Sequence, residues 1–251
     1  MMINPSAVID STAKIGDEVD IGPDSVIQKD VWVGAGTKIG ARVLIGEGTR
    51  IGKNCQIHEF AKIGELGEGS LRKRRKICLV MGDDNVVQEC VRLDRGAAGK
   101  TTIGRGNCFM ANSHVGPDCI VGNQVVLAVG ATLSGNNIVD DYAILGGLAS
   151  VDETYRIGTH ALVTASARVS RDIPPYMLAS GTRARLFGLN AAALRNRGFS
   201  EEKLKELKRA YYLIFRARLN LKQSIKRLAK EKLAQTPEIQ QIIKFIQSPA
   251  V

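Results

Sequence analysis

One aliphatic residue recurs at every sixth position through most of this chain, and few folds accommodate that period. From Ile9 the series runs through Ile15, Ile21, Ile27, Val33, Ile39, Ile45, Ile51 and Ile57 to Ile63 without a miss. It resumes at Met81, Val87 and Leu93, slips once, then runs from Ile103 through Phe109, Val115, Val121, Leu127, Leu133, Val139, Leu145, Val151, Ile157 and Val163 to Val169. A period of six matches neither an α-helix nor an alternating strand. It fits a parallel β-solenoid in which each hexapeptide is one short face with its corner and three faces close a triangular coil. The aliphatic side chains then point inward and stack on their equivalents about 4.8 Å away in the next coil. A polar residue in that column would be buried without a partner, so an unbroken aliphatic series is what the architecture requires. Gly follows most of these positions and aromatic residues make up only 5% of the chain, which suits repeated tight corners better than an aromatic core.

The repeat is lost near residues 64–80 and 94–102, which read as loops thrown out of the solenoid. The first holds Arg72-Lys73-Arg74-Arg75-Lys76, either a solvated charged loop or a phosphate clamp. The second, Arg95-Gly96-Ala97-Ala98-Gly99-Lys100, lacks the spacing of a nucleotide-binding P-loop. Residues 1–171 are thus expected to form the solenoid, 172–199 a junction opened by Asp172-Ile173-Pro174-Pro175-Tyr176, and 200–251 a helical domain. In that domain Ser200 is a candidate N-cap before Leu204, Leu207, Tyr211 and Ile214 at helical spacing. Thr236-Pro237 starts another helix, with Ile239, Ile242, Ile243 and Ile246 on one stripe. These stripes read as core.

Five cysteines (Cys55, Cys78, Cys90, Cys108 and Cys119) contain no CxxC pair and indicate neither a disulfide framework nor a zinc site. With no signal-peptide apolar region and no apolar run long enough to cross a bilayer, a soluble cytoplasmic protein is expected. The net charge is +10, and the stretch from Ser200 holds 12 Lys+Arg against 5 Asp+Glu. Such a field can attract nucleic acid, anionic lipid or an acidic protein. Nucleic acid is the weaker reading, because the basic residues lie on amphipathic helices without interleaved exposed aromatics.

The [Ile/Val/Leu]-Gly-x-x-x-x pattern resembles the hexapeptide-repeat acyltransferases, which implies a left-handed coil and a homotrimer. A narrower resemblance lies in Asp172-Ile-Pro-Pro-Tyr176, Gly181, Phe187-Gly-Leu-Asn190 and Leu194-Arg-Asn-Arg-Gly-Phe-Ser200. These segments look like the junction of the UDP-N-acetylglucosamine O-acyltransferases of lipid A synthesis. The likeness covers the whole chain: an all-β solenoid plus α, that is, a left-handed parallel β-helix with a C-terminal helical domain. It implies transfer of a 3-hydroxyacyl group from acyl carrier protein to a UDP-amino sugar in a groove between neighbouring subunits. The acidic carrier protein is then the natural partner of the basic tail, and no cofactor or metal is implied.

The transfer needs a general base for the sugar hydroxyl and a donor for the oxyanion. The family's segment Asn-x-His-x-x-His-Asp-Cys corresponds to Asn112-Ser113-His114-Val115-Gly116-Pro117-Asp118-Cys119, which puts Pro117 where the family carries its base. His114 and Asp118 are then the nearest candidates for the base. Each also has a plainer reading, His114 packed at a trimer interface and Asp118 bonded to backbone at a corner. Other family histidines correspond to Asp94, Asn136 and Asp152, and the sugar-gripping Asp and Lys fall near Gly69 and Leu71. The substrate-binding set implied by the resemblance is Asn112, Gly147, Asn190, Arg197 and Arg183, with Ala192 and Asn196 departing from the family and Ala165 near the residue that sets acyl depth. His160 and His58 read as exposed solenoid residues. Two functions follow: an acyltransferase with a divergent active site, or a non-catalytic relative that binds carrier protein or sugar nucleotide, or regulates a true acyltransferase.

Overall fold

A computed structural model of the chain describes residues 2–65 and 79–248, and in it residues eighteen apart lie side by side. Ile9 stacks on Ile27, Ile27 on Ile45, and Ile39 on Ile57 in parallel register. The intervening backbone is bonded from coil to coil, as in Val26 N–H to the Val43 carbonyl at 2.8 Å. Three sheets of nine, eight and ten strands result, parallel throughout except for the last strand of the third, and they wind as a left-handed β-helix of about nine turns. Parallel crossovers are normally right-handed because twisted strands feed a packed helix. Here most strands are two residues long and joined by short corners, so strand twist has little length over which to impose a hand.

The core is the aliphatic column. From Ile21 to Val169 every residue of the sixfold series is buried, with Phe109 the one aromatic among them. A second inward position, two residues before each aliphatic one, takes Val, Ala, Cys or a small polar residue, with Leu79 and Tyr155 the exceptions. Several of the polar ones bond corner backbone: Ser25 Oγ donates to the Gly40 carbonyl and Asn85 Nδ2 to those of Gly82 and Gly104, whereas Thr49 Oγ1, Asn107 Nδ2 and Ser113 Oγ have no partner among the described residues. Asn85 Oδ1 accepts from Asn107 N–H, and Asn107 Oδ1 from Val125 N–H, making an internal amide ladder.

The glycines after the aliphatic residues do not turn the corners. Gly22 and Gly34 have ordinary φ, but a Cβ on Gly22 would lie 2.6 Å from the carbonyl of Gly40 in the next coil. These glycines let backbones stack. The left-handed residue comes two positions later and is seldom Gly: Asp24, Asp30, Asn54, Asn112 and Asn136 have φ between 52° and 59°, and even Leu148 stands at 58°. Asp and Asn tolerate this region because their short polar side chains bond locally.

Two insertions shift the register without breaking it. Ile63 pairs with Leu93 and Ile51 with Met81, thirty positions on instead of eighteen. The extra chain, with the basic run 72–76, Gly69, Leu71 and Cys78, lies outside the described residues. Leu93 pairs with Val115, twenty-two positions on, which leaves room for a short loop between strands Arg92–Asp94 and Thr101–Ile103.

The Pro-Pro-Tyr exit does not leave the solenoid at once. Strand Met177–Ser180 adds in parallel to Leu162–Val163, and Arg185–Leu189 returns antiparallel to it. Helices α1 (Ala191–Asn196), α2 (Glu201–Tyr211), α3 (Leu221–Lys230) and α4 (Pro237–Gln247) follow, with a π-turn at Tyr212–Arg216. Ser200 Oγ caps α2 by accepting from Lys203 N–H, and Asn220 with Gln223 forms a capping box on α3. Leu204, Leu207, Leu228, Ile239 and Ile242 are fully buried, so the helical stripes are core. Arg209 forks onto Glu231, and Arg156 donates to the Phe245 carbonyl, tying α4 to the last coils.

Gly22→Ala is expected to lower stability by about 1–3 kcal/mol, because the new methyl meets backbone that cannot give way. Gly147→Ala, whose Cβ would meet nothing closer than the Val129 carbonyl at 3.5 Å, is expected to stay within about 0.5 kcal/mol of the parent in chemical denaturation.

Candidate functional site

Outward side chains on the nine-stranded sheet form a row through Lys62, Arg92, His114, Thr132, Ser150 and Arg168, each opposite the next in the ladder. Arg92 and Asp94 flank the inward Leu93, so strand alternation turns both toward His114. The carboxylate of Asp94 lies between a guanidinium and an imidazole: Oδ1 accepts from Arg92 Nε at 2.6 Å, and Oδ2 is 3.0 Å from His114 Nε2. The Asp94 side chain is 3% exposed and that of His114 33%. Nδ1 of His114 has no hydrogen-bond partner among the described residues. The next residue, Arg95, is also buried, and its Nε finds no partner among the described residues. The family resemblance pointed to His114. Asp94 had been read only as a departure from a family pattern, and the outward alternation Arg92-x-Asp94 was the signal that could have found it.

Asp118 follows at a corner with φ 58°. Its carboxylate accepts three backbone N–H groups, from Ala97 (3.1 Å), Ala98 (2.9 Å) and Gly99 (2.6 Å). A Cβ on Gly96 or Gly99 would lie 2.6 or 3.0 Å from its Oδ1. The Gly-rich loop is therefore a cradle of amides around an anion, and the anion is this chain's own carboxylate. Of the two readings of Asp118, these contacts match a carboxylate bonded to backbone at a corner: both oxygens already accept from the loop. Cys119, next in sequence, is no nucleophile, since burial pushes its thiol up to about 12.

A second cluster occupies the corner between the eight- and ten-stranded sheets. His160 stacks on Tyr142 (centroids 4.7 Å) and Tyr176 (5.7 Å), with the edge of Phe199 at 5.4 Å. His160 is thus half-buried in an aromatic stack and not the exposed residue expected. Burial, with the charge of Arg197 nearby, lowers its pKa to about 4. Asn190 is buried and donates from Nδ2 to the His160 carbonyl, and the Arg197 guanidinium covers the Tyr142 ring at 4.3 Å. The structure therefore brings Asn190 and Arg197 together at the ends of α1 but sets them apart from His114, which lies on a strand of the nine-stranded sheet in an earlier coil.

Asn112 and Gly147 belong to the corner between the ten- and nine-stranded sheets, beside His114. There Val129 and Leu148 are apolar and exposed, 47% and 69%, with Ala165 a coil beyond, where Ser166 N–H bonds the Gly147 carbonyl. Arg183 is exposed in the hairpin turn. An open cleft of about 670 Å³ lies away from His114, between the last coil and the helices, where Arg156, Arg171, Arg185 and Arg216 surround Phe215 and Phe245. Among the described residues one trio, His58, Glu59 and Glu89, could offer three metal-ligand atoms. No helix among them is long and apolar enough to cross a membrane.

Comparison with known proteins agrees with this layout. A family model described as UDP-N-acetylglucosamine O-acyltransferase, domain 2, matches residues 172–250, and one described as bacterial transferase hexapeptide (six repeats) matches residues 30–65. The acyl-[acyl-carrier-protein]–UDP-N-acetylglucosamine O-acyltransferase of Pseudomonas entomophila is 41% identical over 95% of this chain and 93% of its own. That of Thiobacillus denitrificans is 41% identical over 97% and 95%. Among solved structures, LpxA from Acinetobacter baumannii superposes with a TM-score of 0.92 at 32% identity, covering 100% of this chain and 98% of that one.

Two outcomes follow from the geometry. Asp118→Asn removes the charge that holds the loop, and exchange of the Ala97, Ala98 and Gly99 amides is expected to quicken by about tenfold or more in hydrogen-exchange measurements. His160 remains neutral in the fold down to about pH 4, while in the unfolded chain it takes up a proton near its ordinary pKa of about 6.5. Unfolding therefore binds a proton between these values, and this part of the stability, present above that window, is lost as the pH falls through it. His160→Gln should flatten the stability profile there.

Proposed function

This chain belongs to the UDP-N-acetylglucosamine O-acyltransferase family, and on that premise we propose that it moves a 3-hydroxyacyl group from acyl carrier protein to a UDP-amino sugar in lipid A-type synthesis. The observation that carries the reading is His114. It stands on the outer face with one ring nitrogen unpartnered among the described residues, next to an exposed apolar corner of Val129 and Leu148. That combination supplies a proton acceptor beside a surface suited to an alkyl chain. In this reading His114 takes the proton of the attacking hydroxyl, in place of a base at the position of Pro117. Asn112 and Gly147 border the acyl groove, and Asp118 acts through the loop it holds.

The nucleotide end of the site is assigned to Asn190 and Arg197, with Arg183 on the hairpin turn. Asn190 and Arg197 flank α1 beside the His160 corner of the late coils, whereas His114 lies on the nine-stranded sheet of an earlier coil, so a single chain does not present them to one ligand. A homotrimer, with the groove lined by adjacent solenoids, resolves this. The basic helices then steer the acidic carrier protein toward the groove. The positive charge there is partly spent on internal pairs such as Arg209–Glu231 and Lys203–Glu238, which leaves the unpaired Lys and Arg as the steering field.

The deciding assay combines 3-hydroxyacyl carrier proteins of several chain lengths with UDP-N-acetylglucosamine and its 3-amino analogue, with product read by intact mass. Acylated sugar nucleotide is expected. Folded trimer that yields none with any pair would turn the function to binding or regulation. Light scattering should give three times the chain mass, and a stable monomer would refute the shared groove.

A further inference from the structure

Within that reading, the contacts of Asp94 say more about how His114 works. Asp94 pairs with Glu65 of the preceding coil across a register shift that bulges Gly64 out of the ladder, while the coil that follows carries Gly116 after Val115. Its carboxylate is gripped on one oxygen by Arg92 and presents the other to Nε2 of His114. The same face repeats this register at Asp152 and Arg168, 3.1 Å apart, but there the side chains are 33% and 65% exposed. A solvated pair of that kind contributes little. Asp94 is 3% exposed, and a carboxylate that deep fixes its partners far more firmly.

We propose that Asp94, held by Arg92, is a positioning residue that keeps the His114 proton on Nε2 and so makes Nδ1 the nitrogen that accepts the sugar proton. With Nε2–H donating to Oδ2, the lone pair lies on Nδ1, the atom without a partner among the described residues. As the sugar oxygen bonds to the thioester carbon, its proton passes to Nδ1. When the carbon–sulfur bond breaks, the imidazolium returns that proton to the leaving thiolate, which restores neutral His114 and leaves an ester and a thiol. Asp94 stabilises the imidazolium in between without itself changing protonation.

The test uses the full-length protein, which has only three histidines, labelled with ¹⁵N-histidine. The wild type is expected to show His114 protonated on Nε2 and bare on Nδ1, assigned by loss of its signals in His114→Gln. In Asp94→Asn, Arg92 still claims the side-chain oxygen, so the amide NH₂ faces Nε2 and the tautomer inverts. Turnover should then fall by about 10²–10⁴-fold with KM little changed. His114→Gln should fall comparably, and the double variant no further, since the two act as one unit. A wild-type His114 bare on Nε2 overturns the assignment even if Asp94→Asn fails to fold. Full turnover by Asp94→Asn or His114→Gln in an active enzyme overturns the dyad alone. A folded wild-type trimer that transfers nothing overturns the functional reading and the catalytic part of this role together, and a normal wild-type tautomer signal then marks Asp94–His114 as a structural pair.

Discussion

Backbone stacking from coil to coil is the interaction on which everything else here rests. Each short strand bonds the strands eighteen residues before and after it, and the arrangement survives only if every corner turns within the same few residues. Two separate conditions must be met at each corner. Gly22, Gly34 and their equivalents let one backbone lie against the next, where a Cβ would meet a carbonyl. Two residues later a left-handed φ turns the chain, and Asp, Asn, and even Leu148 or Tyr142 accept that conformation at a cost of about 1–3 kcal/mol each. The cooperative stack outweighs these local costs.

That constraint also builds the site. Because the register is rigid, a side chain's neighbours are set by its place in the hexad: Arg92 must face His114, and Asp94 must lie beside both. The short excess of chain between Leu93 and Val115 becomes a loop, and Asp118 holds it through three amides. A carboxylate that could have served as a base is thereby an anchor, while one that looked like a lost histidine becomes the partner of His114.

The C-terminal helices finish the open end of the solenoid. A stack of parallel strands exposes unpaired backbone at its last coil, and the hairpin 177–189 with the helices covers it. Arg156 serves both sides of this joint, pairing with Asp172 and reaching the Phe245 carbonyl of α4. Tyr176 does the same through Gln241 while closing the stack around His160.

The sixfold aliphatic series alone determined the solenoid, the direction of the core residues and the places where loops interrupt it, because a period that regular has one packing solution. The N-cap Ser200 and the first-turn Pro237 likewise marked helices α2 and α4 by local chemistry. Neither α3 nor the hairpin at 177–189 was legible. Their apolar residues answer to tertiary neighbours and not to a period, although the Asn220/Gln223 capping box was present to be read. Only the tertiary structure decided which outward residues meet. Asp94 and His114 are twenty positions apart in the chain, and His160 meets Tyr176 and Phe199, which lie beyond the repeat. Whether a carboxylate is an anchor or a partner, and whether an imidazole is stacked or open, depends on distances between coils, which residue types do not encode.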